Sequence, residues 1–76
     1  MDAETFRAWR RRQGLTQDEA ARQLGLKRRM IQYYERGERG GRHVAIPKHV
    51  RLACWALSQG VRDFDGSDPG GEQIAV

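Results

Sequence analysis

The sequence predicts an all-α fold, a four- to five-helix bundle built around a central helix-turn-helix. Three observations predict it. Capping and stop residues bracket four short segments. Within each segment the apolar residues recur at helical spacing. No segment shows the period-2 alternation and hairpin signal of a strand. At 76 residues and 38% hydrophobic content the chain holds one domain with a modest core. A core of that size leaves a margin of roughly 3–5 kcal/mol, so dense packing, dimerisation or both must support it. The single cysteine, Cys54, excludes an intramolecular disulfide and a cysteine-rich metal site.

The first helix opens on Asp2 and Glu4 and closes on Arg10, Arg11 and Arg12, an order that suits the helix dipole. Phe6, Trp9 and Gln13 share one stripe. Gly14 stops the helix, and Leu15 packs beneath the turn. Thr16-Gln17-Asp18-Glu19 is a capping box, the clearest helix start in the chain. The second helix runs from about Gln17 to Leu24, with Ala20, Ala21 and Leu24 facing inward and Gly25 ending it. Leu26 bridges to a third helix from about Arg28 to Arg36. Ile31, Tyr34 and Glu35 lie on one side of that helix. Arg28, Arg29, Gln32, Tyr33 and Arg36 crowd the other. Gly37 closes it, and Glu38 to Ile46 (ERGGRHVAI) reads as a Gly-rich basic loop. Pro47 suits the first turn of a fourth helix, whose stripe is Val50, Ala53, Cys54 and Leu57 and whose end is Gly60. Cys54 on that stripe reads as a small core residue. The helix-turn-helix domain spans residues 1–65. Residues 66–76, rich in turn formers and acid, read as a flexible acidic tail.

The charge is strongly divided. All 14 Lys and Arg residues lie in residues 1–62 with only six acids, a balance of +8. Residues 63–76 carry four acids and no base, a balance of −4. A compact body this basic attracts a polyanion. No stretch approaches the ~20 apolar residues of a membrane span, and no signal peptide is visible at the N-terminus. The unpaired cysteine fits a reducing, cytoplasmic setting. His43 and His49 do not share a helix face, so no metal is expected. No nucleophile–base pair or carboxylate pair suggests an enzyme. No cofactor, small-molecule ligand or membrane partner is expected either.

Two short helices joined by Gly25-Leu26-Lys27 describe a helix-turn-helix. Its second helix presents Arg28 and Arg29 in the first turn and Gln32 and Tyr33 one turn on. Arginine pairs bidentately with guanine, and glutamine with adenine. In this motif the N-terminal residues of the second helix touch base edges. Double-stranded DNA is therefore the expected partner. Lys27, Arg36, Arg39, Arg42 and His43 are the candidates for backbone phosphates or a flanking minor groove.

The segment GLTQDEAARQLGLKRRMIQYYERG resembles the lambda-repressor-like family, also called XRE or Cro/CI-type regulators. The resemblance covers about residues 4–60 and fixes about ten positions at set spacing, Leu15, Gln17, Leu24, Gly25, Ile31, Glu35 and Gly37 among them. It implies that Gln17 contacts a DNA phosphate. It implies that Arg28, Arg29, Gln32 and Tyr33 face bases in the major groove. It further implies an internal ion pair between Arg10 and Glu35. RRMIQYYERG followed by IPKHVRLACWAL is also similar to small phage or mobile-element regulators, including anti-CRISPR-associated repressors. Two departures stand out. Lys27 occupies a position where the family carries a Ser or Thr cap. The sequence also runs only a short way past the fourth helix, where many relatives have a fifth.

Trp55 lies beside the fourth helix's apolar stripe rather than on it. Trp55, Val61 and Phe64 are the candidates for a two-fold dimer contact. The expected function is a nucleoid-associated transcriptional repressor, bacterial or phage-encoded, that binds an inverted-repeat operator as a homodimer, its own promoter included. The rival reading is an antitoxin-type or other protein-binding module carrying a DNA-binding head. A single-strand or RNA binder would need exposed stacking aromatics, and most aromatics here fall on inward stripes.

Overall fold

The computed structural model describes residues 1–66. The tail read over residues 66–76 therefore lies, apart from Gly66, outside the described residues. The chain runs α1 (Ala3–Arg12), α2 (Gln17–Leu24), α3 (Arg28–Arg36), β1 (Glu38–Arg39), β2 (Arg42–His43) and α4 (Lys48–Ser58). Among the described residues no helix is long and apolar enough to cross a membrane.

Each helix start has a local cause. Asp2 caps α1 by accepting the Thr5 N–H at 2.8 Å. At α2 both halves of the capping box form. Glu19 N–H donates to Thr16 Oγ1 at 3.1 Å, and Thr16 N–H donates to the Glu19 carboxylate at 2.8 Å. These bonds hold the Asp2 and Glu19 carboxyls below their usual range. Gly25 and Gly37 end α2 and α3 in the left-handed region, with φ of 71° and 77°. A β-carbon on Gly37 would also stand 3.3 Å from Ala3 Cβ, because the end of α3 meets the start of α1.

The core joins Phe6 and Trp9 of α1, Ala20 and Ala21 of α2, Ile31 and Tyr34 of α3, and Ile46, Val50 and Cys54 of the C-terminal third. The small Ala20 and Ala21 let α3 pack closely across α2, and α3 packs against α1 as well. Phe6 sits between the Trp9 and Tyr34 rings at 5.7 and 5.6 Å, the latter edge-on. The Trp9 indole N–H donates to the Cys54 carbonyl at 3.1 Å and to Ser58 Oγ at 2.9 Å, which ties α1 to α4. Cys54 is buried, and burial pushes its thiol up to about 11.

Two sequence expectations change, the basic loop and the place of Pro47. The basic loop is an antiparallel hairpin, with Arg39 opposite Arg42 and Glu38 opposite His43. The fold is thus helical with one small two-stranded ribbon rather than purely α. Gly40 and Gly41 turn the chain at φ of 57° and 83°, both left-handed. Such a Gly-Gly pair is a hairpin signal in its own right. It was masked by strands of two residues, too short to show alternation. Four helices lie within the described residues, with no fifth. Pro47 precedes the fourth helix as its N-cap, with φ −64° and ψ 157°. Its carbonyl accepts the Val50 and Arg51 N–H groups at 3.0 Å each.

Candidate nucleic-acid interface

Helix α3 is held from below and open above. Ile31 and Tyr34 are buried, while Arg28, Arg29 and Arg36 are exposed and Gln32 and Tyr33 half-buried. Lys27 stands at its N-cap with no side-chain cap bond, as an acceptor-free ammonium must. The Arg28 guanidinium lies 3.6 Å from the Asp18 carboxylate. Both side chains are more than half exposed, so water screens the pair and leaves Arg28 free to exchange partners.

Beneath α3 an ion pair sets its position relative to α1. Arg10 Nε and Nη2 both donate to Glu35, the second bond at 3.1 Å, and Arg10 Nη1 donates to the Leu15 carbonyl at 2.9 Å. One guanidinium thus pins α1, the following turn and α3 together. The hydrogen bonds to Glu35 raise Arg10 above its usual range. Gln17 joins this cluster, because its Nε2 donates to Glu35 Oε1 at 3.3 Å. The expected phosphate ligand is therefore braced by the ion pair, with one side-chain N–H engaged.

The hairpin extends the basic face. Directly opposed residues of an antiparallel pair share one face, and the next pair points the other way. Arg39 and Arg42 thus share a face, and Glu38 and His43 lie on the reverse. The Arg39 guanidinium rests over the Tyr33 ring at 5.0 Å, and that of Arg36 at 5.7 Å. The Arg39–Arg42 face is therefore the one turned toward α3. His43 instead lines a groove with Met1, Asp2 and Ala3. Val44 N–H to the Gly37 carbonyl, 3.1 Å, closes the hairpin base.

Away from this basic face, α4 turns Leu52 and Trp55 outward, 58% and 64% exposed. Val61 and Phe64 follow at 47% and 69%. Leu52 was not among the residues singled out from sequence. Its signal was there: it lies one turn before Trp55, on the side opposite Val50 and Cys54.

A helix-turn-helix family model matches residues 6–40. The searches of curated proteins and of solved structures returned no match. The matched segment runs from the first core residue of α1 through the capped α2, the glycine turn and α3 to the hairpin tip. Over this segment the chain is similar to the helix-turn-helix family, in keeping with the resemblance carried by its sequence.

Proposed function

We propose that this protein is a sequence-specific transcriptional repressor that binds an inverted-repeat operator as a homodimer, its own promoter among the targets. The observation that carries this reading is the outer edge of α3. Arg28 and Arg29 stand exposed in its first turn, on a helix pinned from beneath by Ile31, Tyr34 and the Arg10–Glu35 pair. Arg28, Arg29 and Gln32 are assigned to base edges in the major groove. Tyr33 lies under two guanidiniums, so it serves the bases at the edge of that set and supports Arg36 and Arg39. Gln17, Lys27, Arg36, Arg39 and Arg42 are assigned to backbone phosphates. The hairpin register supports Arg42 in that group over His43, which lies on the reverse face.

The exposed Leu52, Trp55, Val61 and Phe64 support pairing with a second copy through α4 and the segment after it. The same patch favours one other reading, a DNA-binding head that docks a protein partner such as a toxin. Selection of bound duplexes from a random pool tests the main reading. It predicts enriched inverted repeats with half-site centres about 10–10.5 base pairs, or a multiple, apart. Enrichment of no sequence, or of a lone half-site, would reject it. Stoichiometric co-purification of a second protein on the Trp55 face would favour the other reading.

A further inference from the structure

The cleft between α1, the start of α2 and the end of α3 contains a residue that the sequence reading did not use. It is lined by Arg7, Gln17, Gln32, Glu35 and Arg36. Arg7 lies one turn before Arg10 on α1, so the helix that carries the internal ion pair also delivers a second guanidinium to the same side. We propose that Arg7 and Arg36 form a two-arginine clamp for one backbone phosphodiester of the bound duplex, with the Gln17 amide between them. The proposal rests on the DNA-binding reading above and adds α1 to the surface that touches DNA.

Charge is what points to an anion. Glu35 is the cleft's one acidic lining residue, and Arg10 already matches it with two hydrogen bonds. Gln17 donates a third. The remaining cationic lining, Arg7 and Arg36, has no carboxylate within ion-pair distance among the described residues. Glu4, one turn before Arg7, shares a second hollow with it, with Ala8 and Arg11, but forms no ion pair with it among the described residues. Arg36 is steered by its contact with the Tyr33 ring rather than by an acid. Two guanidiniums facing one polar cleft repel each other until an anion enters between them. A phosphodiester fits this chemistry, since it accepts forked N–H pairs from arginine and the spare N–H of the Gln17 amide. A base edge fits less well, because the cleft lies behind the first turn of α3, on the side of Arg7 and Gln17 rather than of Arg28 and Arg29.

The test compares Arg7→Ala, Arg7→Lys and, as a charge-matched control, Arg51→Ala on α4, all checked for an unchanged melting curve. Binding to a random-sequence duplex is measured across salt concentrations. Arg7→Ala is expected to lower the magnitude of the log–log salt slope by about 0.9, the loss of one phosphate contact. Arg7→Lys should restore most of the slope, because it keeps the charge, and Arg51→Ala should leave it unchanged. In a second arm, inorganic phosphate is titrated against the labelled protein. The side-chain signals of Arg7, Gln17 and Arg36 should shift together in the wild type, and those of Gln17 and Arg36 should stay put in Arg7→Ala. If the wild type binds duplex while Arg7→Ala keeps the wild-type slope, the clamp alone is overturned. If the wild type binds no duplex even at low salt, the DNA reading fails and the clamp with it.

Discussion

Glu35 shows how much one side chain does in a chain this small. Its carboxylate receives Arg10 twice and Gln17 once, and its side chain is 8% exposed. Glu35→Ala leaves the Arg10 guanidinium half-buried and uncompensated, a loss of about 3 kcal/mol. Since the whole domain has a margin of roughly 3–5 kcal/mol, urea melts should show at most about 2 kcal/mol left in this variant. Cys54 gives a second residue-scale outcome. Its thiol is buried and raised to about 11, so the nucleophilic thiolate is scarce at neutral pH. Iodoacetamide at pH 7.5 should label the folded protein far more slowly than the urea-unfolded chain. Equal rates would show that the α4 stripe opens freely. The Arg10–Glu35 pair was legible only through the family resemblance. The Trp9 bonds to Cys54 and Ser58 were not legible, because they join residues 45 and 49 positions apart.

The four helices could be read from the chain because their causes are local. A capping box, glycine stops and a periodic apolar stripe act within a few residues of one another. The hairpin escaped because each strand has only two residues, and their pairing is a property of the fold. The distinction between α3 and the hairpin yields separable outcomes. Arg28→Ala and Arg29→Ala should each cost roughly 1–3 kcal/mol on the operator and relax base preference. Arg42→Ala should weaken operator and random duplex alike and flatten the salt slope by about 0.9. His43→Ala, on the hairpin's other face, should leave both unchanged at pH 8. Competition binding on operator and scrambled duplexes checks all four variants. Unchanged operator binding in both α3 variants would remove α3 as the reader.

At the scale of the described domain, two kinds of exposed surface stand apart. Basic side chains gather along α3, the hairpin and the cleft at Arg7. Exposed apolar ones gather on α4 and the segment after it. If that apolar patch joins two copies, Trp55→Lys should shift sedimentation at tens of micromolar from dimer to monomer. It should also weaken binding to a two-half-site duplex by an order of magnitude or more, through loss of effective concentration, while leaving half-site affinity within about twofold. A variant that sediments like the wild type would move the dimer contact elsewhere.

Sequence alone determined the helical class, the helix-turn-helix and the basic outer face of α3. Each depends on neighbours in the chain, whose spacing sets caps, turns and stripes. Tertiary structure decided which outward side chains share a surface. It set Arg39 over the Tyr33 ring, turned His43 from the α3 face, and brought Arg7 to the cleft beside Gln17. Those adjacencies come from helix crossing and strand register. Both arise from packing between distant segments, which no local pattern encodes.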